Sequence, residues 1–300
     1  MQSVALKSNL PSKRSVKNGT RVYHKDGIKI YVADARTKLA DFPDQTFQCC
    51  VTSPPYWGMR DYDYPGQIGT ETHIEDYIKD LVSVFREVRR TMRDDGTFWL
   101  NIGDTYTSGG RTWRAPDKKN QGRAMGFRPD TPEGLKPKDL VGLPWRLAFA
   151  LQADGWFLRS DIIWNKPNCQ PESVKDRPTR SHEYLFLFTK SERYHFNAER
   201  IQEEAAASGG RRNRRTVWNI NTEPYKGAHF AVFPTKLAEM CVLAGTDVGQ
   251  TVLDPFFGSG TVGAVSKSLE RACVGIEMKP DYAELAVKRV NQAVAQKRLV

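Results

Sequence analysis

The sequence predicts an α/β fold, a mainly parallel sheet with helices on both faces, from three observations. Segments with apolar residues at every second position alternate along the chain with segments of helical period, the order produced when strands are joined by crossover helices. With 39% hydrophobic and 11% aromatic content, 300 residues suffice for one large core. The nonapeptide Asp254-Pro255-Phe256-Phe257-Gly258-Ser259-Gly260-Thr261-Val262 is a glycine turn of the kind that ends a strand and opens a helix.

Residues 1–20 carry Lys7, Lys13, Arg14 and Lys17 among polar residues without an apolar period, which reads as a flexible basic arm ahead of a domain over 21–300. Ile28, Ile30 and Val32 alternate into Asp34, and after a turn around Pro43 a second strand runs Phe47-Gln48-Cys49-Cys50-Val51. From Ile74 to Met92, apolar residues Ile74, Tyr77, Ile78, Leu81, Val82, Phe85 and Val88 fall three and four apart, an amphipathic helix. Gly96 reads as the break before a strand from Thr97 to Ile102. A helix over about Leu140 to Ala153 precedes strands at Trp156 to Trp164 and Tyr184 to Phe188. The last third repeats the rhythm: a helix at Thr235 to Leu243, the strand Val252-Leu253, a helix from Thr261, the strand Cys273 to Ile276, and a helix from Pro280 to about Gln296. Residues 105–138 and 199–228 break it, and loops this long in a compact domain are usually functional or disordered.

A net charge of +10 and a pI near 9.3 favour a polyanionic partner. Five cysteines, an odd number without Cys-x-x-Cys spacing or paired histidines, indicate neither a disulfide framework nor a metal site. No run approaches the roughly 20 apolar residues of a membrane span, and the N-terminus lacks a secretory apolar core. The expectation is a reduced, cytoplasmic protein with no membrane and no metal.

Two motifs carry chemistry. At the glycine turn, Gly258 and Gly260 would let backbone approach a ligand closely, and Thr261 caps or opens the following helix. Glu277 ends the next strand, where a carboxylate can accept hydrogen bonds from ribose hydroxyls. The spacing is not Gly-x-Gly-x-x-Gly, so no pyrophosphate seat is evident; by itself the loop could serve a nucleotide-like ligand or be a tight turn. The second motif, Ser53-Pro54-Pro55-Tyr56-Trp57, follows a strand and should project from the carboxyl edge of the sheet. Its two prolines fix two φ angles and leave carbonyls to accept. Cys49 and Cys50 lie inside an apolar strand and read as small core residues rather than thiolate nucleophiles.

Thr52 to Trp57 and Asp254 to Val262, with Val32-Ala33-Asp34-Ala35, Arg159 to Asn168, His182 to Phe188 and His229 to Leu237, resemble the amino-group DNA methyltransferases that use S-adenosylmethionine. The catalytic turn precedes the cofactor loop, the circularly permuted order of that family's beta class, and the resemblance covers most of residues 22–292. It implies a Rossmann-like methyltransferase fold and S-adenosylmethionine as cofactor. Asp254 would then lie near the methionine amino group, Phe256 beside the cofactor, Asp34 and Ala35 at the adenine end, and Phe233 and Thr235 along the methionine tail, with Gly258, Ser259, Gly260 and Thr261 as the loop itself.

An exocyclic base amine is a poor nucleophile because its lone pair is delocalised into the ring. Acceptors at Ser53 Oγ and the Pro54 carbonyl could hold both its hydrogens and favour a pyramidal nitrogen. No strong base is visible at the turn, so the proton would leave late through Ser53 or water. Tyr56 and Trp57 offer faces for a base rotated out of double-stranded DNA. Within the family a serine first in the turn favours cytosine N4; adenine N6, an RNA or protein amide, and a non-catalytic DNA-binding module are the rivals. DNA contacts would come from 199–228, with Arg211, Arg212, Arg214 and Arg215, and from 105–138, with Arg111, Trp113, Arg114, Lys118, Lys119, Arg123 and Arg128. Arg60 could hold a phosphate near the flipped base or pair with Asp61 or Asp63. The resemblance further implies a bacterial or phage origin, a possible cognate restriction endonuclease, and a monomer or dimer.

Overall fold

In the computed structural model, which describes residues 14–15, 21–62, 64–108, 128–205, 209–223 and 233–294, ten strands form one sheet. In chain order the strands are β1 (Arg14–Ser15), β2 (Arg21–Lys25), β3 (Ile28–Val32), β4 (Phe47–Thr52), β5 (Met92–Ile102), β6 (Phe157–Asn165), β7 (His182–Thr189), β8 (Glu203–Glu204), β9 (Arg211–Arg212), β10 (Val217–Asn219), β11 (Thr251–Asp254) and β12 (Ala272–Glu277). The helices are α1 (Ala35–Lys38), α2 (Ile74–Thr91), α3 (Leu143–Ala153), α4 (Thr235–Gly245), α5 (Thr261–Ser268) and α6 (Pro280–Gln292).

The large sheet runs β1-β2-β3-β12-β11-β4-β5-β7-β6-β10, with β8 and β9 forming a separate hairpin. Its centre, β3 to β5 in that order, is parallel; β7 pairs antiparallel with both β5 and β6. Every residue of β4 is buried, as parallel strands covered on both faces require. Cys50, Phe98, Phe186 and Phe188 pack under α2 and α3, while Cys49, Val51, Trp99 and Val252 pack under α4 to α6. Burial pushes the Cys49 thiol up to about 12 and that of Cys50 well above its usual value, so both act as core residues. No helix among the described residues is long and apolar enough to cross a membrane.

Several boundaries differ from the sequence reading. Gly96 lies within β5, which begins directly after α2, because Met92 pairs with Phe47 across the sheet. Gly142, in the left-handed region at φ 73°, starts α3 three residues later than expected, and α6 stops at Gln292. The segment 199–228, read as loop, contributes β10, paired parallel to β6 with Val217 opposite Ile163. Three residues are too few to show a period, and it is burial of Trp218 against the sheet that holds this strand. Within the basic arm, Arg14–Ser15 pair antiparallel with β2; the rest of the arm lies outside the described residues.

From adjacent β11 and β4 the chain proceeds outward in opposite directions, to β12 on one side and β5 on the other. The carboxyl ends of strands at such a switch point leave a crevice, the place where open α/β sheets bind ligands.

Candidate active site

Both motifs open into that crevice, a cleft of about 1150 Å³ lined by Asp34, Ala35, Ser53 to Tyr56, Phe233, Asp254 to Ser259, Thr261 and Glu277, among others. The volume exceeds that of an ordinary small-molecule pocket, so it has room for a cofactor and a base side by side. Thr52 Oγ1, at the end of β4, donates to Asp254 Oδ1, at the end of β11, at 2.6 Å. The two ends of the site are thus tied together between residues far apart in sequence.

At the cofactor end, Asp254 is 4% exposed and also accepts from the Phe256 backbone N–H at 3.1 Å. Burial pushes its carboxyl up to about 7. Glu277 accepts from the Gly258 and Lys279 backbone N–H groups, each at 2.8 Å, which fixes its carboxylate against the glycine turn; burial raises its pKa. Asp34 caps α1 by accepting from the Arg36 N–H at 2.9 Å, and its other oxygen accepts from Arg36 Nη2 at 2.5 Å while the residue lines the cleft. Capping and cleft readings of Asp34 therefore hold together. Buried acids at two strand ends, a third at the cleft wall and the rings of Phe256 and Phe233 suit a cationic, ribose-bearing, aromatic ligand such as S-adenosylmethionine.

At the other end, the Tyr77 hydroxyl of α2 donates to the Pro55 carbonyl at 2.8 Å and braces the turn from beneath. Among the described residues no donor bonds the Pro54 carbonyl. Ser53 Oγ donates to Tyr56 Oη at 3.3 Å, and Tyr56 donates to Glu183 Oε2 at 2.8 Å. The loop after the turn is latched to the cofactor side, where Arg36 Nη2 and Lys279 Nζ each donate at 2.6 Å, to the carbonyls of Gly66 and Tyr62.

Other site candidates stand elsewhere. Trp57, expected to face a base, is 3% exposed, with its indole N–H donating to the Glu71 carbonyl at 2.8 Å; it is a core residue supporting the turn. Thr235 does not line the cleft: its N–H and hydroxyl both bond Glu223 Oε2, at 3.1 and 2.8 Å, and Glu223 lines the cleft in its place. Gly260 is also off the cleft wall and meets α6 instead. Ser259 and Thr261 hydroxyls accept from Arg289 Nη1 at 3.1 and 2.7 Å.

Arg60 lies on the cleft wall. Arg212 and Arg215 pair with Glu203, and Arg214 donates to the Ile201 and Gln202 carbonyls, so these three brace the β8–β9 hairpin. Arg211 is exposed on β9. Arg111, Trp113, Arg114, Lys118, Lys119 and Arg123 lie outside the described residues.

Sequence reasoning did not single out Glu183, Lys166, Asn101 or Gly103, which the sheet gathers around Tyr56. Glu183 stood inside a motif that carried the family resemblance, yet nothing local tied its carboxylate to a tyrosine 127 positions away.

A family model described as DNA methylase, of the N6/N4 group, matches residues 47–288. The chain is 66% identical over 263 residues to the type II methyltransferase M.SmaI of Serratia marcescens, covering 87% of this chain and 90% of that protein. It is 60% identical over 266 residues to the type II methyltransferase M.Cfr9I of Citrobacter freundii, covering 89% and 88%. Among solved structures, the PvuII DNA methyltransferase, described as cytosine-N4-specific, shares the fold at TM-score 0.66 and 22% identity over 87% of this chain and 86% of its own. TTHA0409 of Thermus thermophilus, solved with S-adenosyl-L-methionine, matches at TM-score 0.59 and 27% identity over 88% and 93%. With the Ser53 and Gly258 turns meeting at one switch point and a family match over most of its length, the chain belongs to the N6/N4 DNA methylases.

Proposed function

We propose that the protein transfers a methyl group from S-adenosylmethionine to the N4 amine of a cytosine rotated out of double-stranded DNA. The observation that carries this reading is the junction of the two motifs, where the Thr52–Asp254 hydrogen bond sets Ser53 and the Pro54 carbonyl beside the acids of the cofactor end in one cleft.

The cofactor supplies an electrophilic methyl group on a positively charged sulfur. Asp254 would hold its amino group, Glu277 would receive its ribose hydroxyls on the lone pairs left by two backbone donors, and Phe256, on the cleft wall, would pack against it. Ser53 Oγ, whose own proton points to Tyr56, and the Pro54 carbonyl each accept one amine hydrogen. That arrangement draws the nitrogen lone pair out of conjugation and aims it along the cleft. Arg60 and Arg180 line the cleft and suit the phosphates flanking an extruded nucleotide.

Serine at position 53 supports cytosine over adenine, and so does the cytosine-N4 specificity stated for the PvuII enzyme. The type II naming of the relatives supports a role alongside a restriction endonuclease in a bacterial cytoplasm. Expression in a host without DNA methylation, followed by nucleoside mass spectrometry of its genomic DNA, tests the reading. N4-methylcytosine is expected. N6-methyladenine would keep the site chemistry and overturn the base assignment, and unmodified DNA alongside intact cofactor binding would overturn the reaction.

A further inference from the structure

Glu183 is the second residue of β7 and meets the catalytic turn from the far side of β5. Tyr56 has one proton and donates it to Glu183 Oε2 at 2.8 Å, so Tyr56 Oη is left as acceptor for the proton of Ser53 Oγ, 3.3 Å away. Asn101 Nδ2 donates to the same Glu183 oxygen at 3.2 Å, and Lys166 Nζ pairs with the other. The Lys166 and Glu183 side chains are only 16% and 19% exposed, so the ion pair holds the carboxylate in place. Behind the pair, a Cβ added to Gly103 would stand 2.8 Å from the Tyr56 ring and 3.3 Å from Glu183 Cγ and Cδ. A side chain at position 103 would press on the point where the two residues meet. Burial, with the Glu183 charge adding to it, holds the Tyr56 hydroxyl well above its usual pKa, which keeps it a proton donor.

We infer that Glu183 is the terminal acceptor of the proton shed by the methylated amine, reached through Ser53 and Tyr56. This rests on the amine-transfer reading above. Once methylated, the nitrogen carries a positive charge and one proton too many. Its N–H bond breaks as that proton bonds to Ser53 Oγ; the Ser53 proton passes to Tyr56 Oη, and the Tyr56 proton to Glu183 Oε2. The nitrogen ends neutral, both hydroxyls regain their composition, and the carboxylate becomes a carboxylic acid. Glu183 lines the cleft, so water can take the proton after product leaves. Glu183 itself acts through Tyr56 and does not touch the base.

Glu183→Gln preserves an acceptor for Tyr56 but cannot take up a proton. The expected result is a single-turnover rate lowered about 10²-fold, with KM for DNA, cofactor affinity and melting temperature close to those of the native chain. Tyr56→Phe should lose a similar factor, and the double variant no more than either alone, since both cut one path. A native rate in Glu183→Gln, losses that multiply in the double variant, or a raised KM with kcat retained would each overturn the relay. If Glu183→Gln fails to fold, Tyr56→Phe at the native rate does so. Ser53→Ala separates the two claims: a dead Ser53→Ala beside a fully active Glu183→Gln removes only the relay, while native rates in both remove the amine-transfer reading as well.

Discussion

Burial of Asp254 sets a conflict between stability and binding within one side chain. Its carboxyl is pushed from 3.8 up to about 7, so between roughly pH 4 and 7 the folded chain keeps a proton that the unfolded chain has released. Its contribution to stability is therefore full below about pH 4 and is lost as pH rises through about 7, on the order of 4 kcal/mol for a shift of this size. Asp254→Asn should raise the melting temperature of the ligand-free protein at about pH 8 and change it far less at about pH 4, while weakening cofactor binding more than tenfold. Thermal melts at both pH values and calorimetry check this; an equal gain at both would mean that the carboxyl is not protonated in the folded chain. Asp254 and Ser53, which the fold places on the cleft wall, were legible because each sits inside a short motif. Glu183 was not, because its role exists only where β5 and β7 pair and bring it to Tyr56.

Around the glycine turn, the elements rather than the ligand explain one of the two glycines. Gly258 has φ 49° and an unobstructed Cβ direction, whereas Gly260 has φ 79° and a Cβ there would lie 2.8 and 2.9 Å from Ala286 Cβ and Cα. Gly260 caps α5 and lets it pack on α6, so for Gly260 the sequence reading of ligand clearance gives way to helix packing. Gly260→Ala should cost about 1–3 kcal/mol through left-handed strain and the clash with α6. A lowered urea midpoint with unchanged slope checks it, and an unchanged midpoint would show that α6 yields at no cost. Helix α2 was legible from its period alone because its inward face, Tyr77, Leu81, Phe85 and Val88, is continuous. Strand β10 was not legible, since three residues gain their strand geometry from β6 rather than from their own pattern.

For the whole molecule, the net charge of +10 is not concentrated in the cleft, where Arg60, Lys166, Arg180 and Lys279 stand among a larger number of acids, so any gain in DNA affinity draws on basic side chains outside it as well. DNA affinity should fall linearly in log–log form with salt, with a slope near −0.9 for each phosphate contacted. Fluorescence anisotropy between about 50 and 200 mM salt measures this slope, and a flat response would place the charge away from the DNA interface.

By itself the sequence determined the α/β class, the permuted motif order and the family, and pointed to the two turns that the fold brings into one cleft. Each of these is written in a few consecutive residues or in a repeat of two or 3.6, where backbone sterics and local apolar patterning decide the outcome. Tertiary structure alone decided that Thr52 bonds Asp254, that Trp57 turns inward, that Glu223 takes the hydroxyl of Thr235, and that Glu183 stands at the end of a chain of hydroxyls. The Thr52–Asp254 and Tyr56–Glu183 contacts bring together residues at strand ends distant in sequence, and their partners are set by sheet order and register, to which no single segment holds the key.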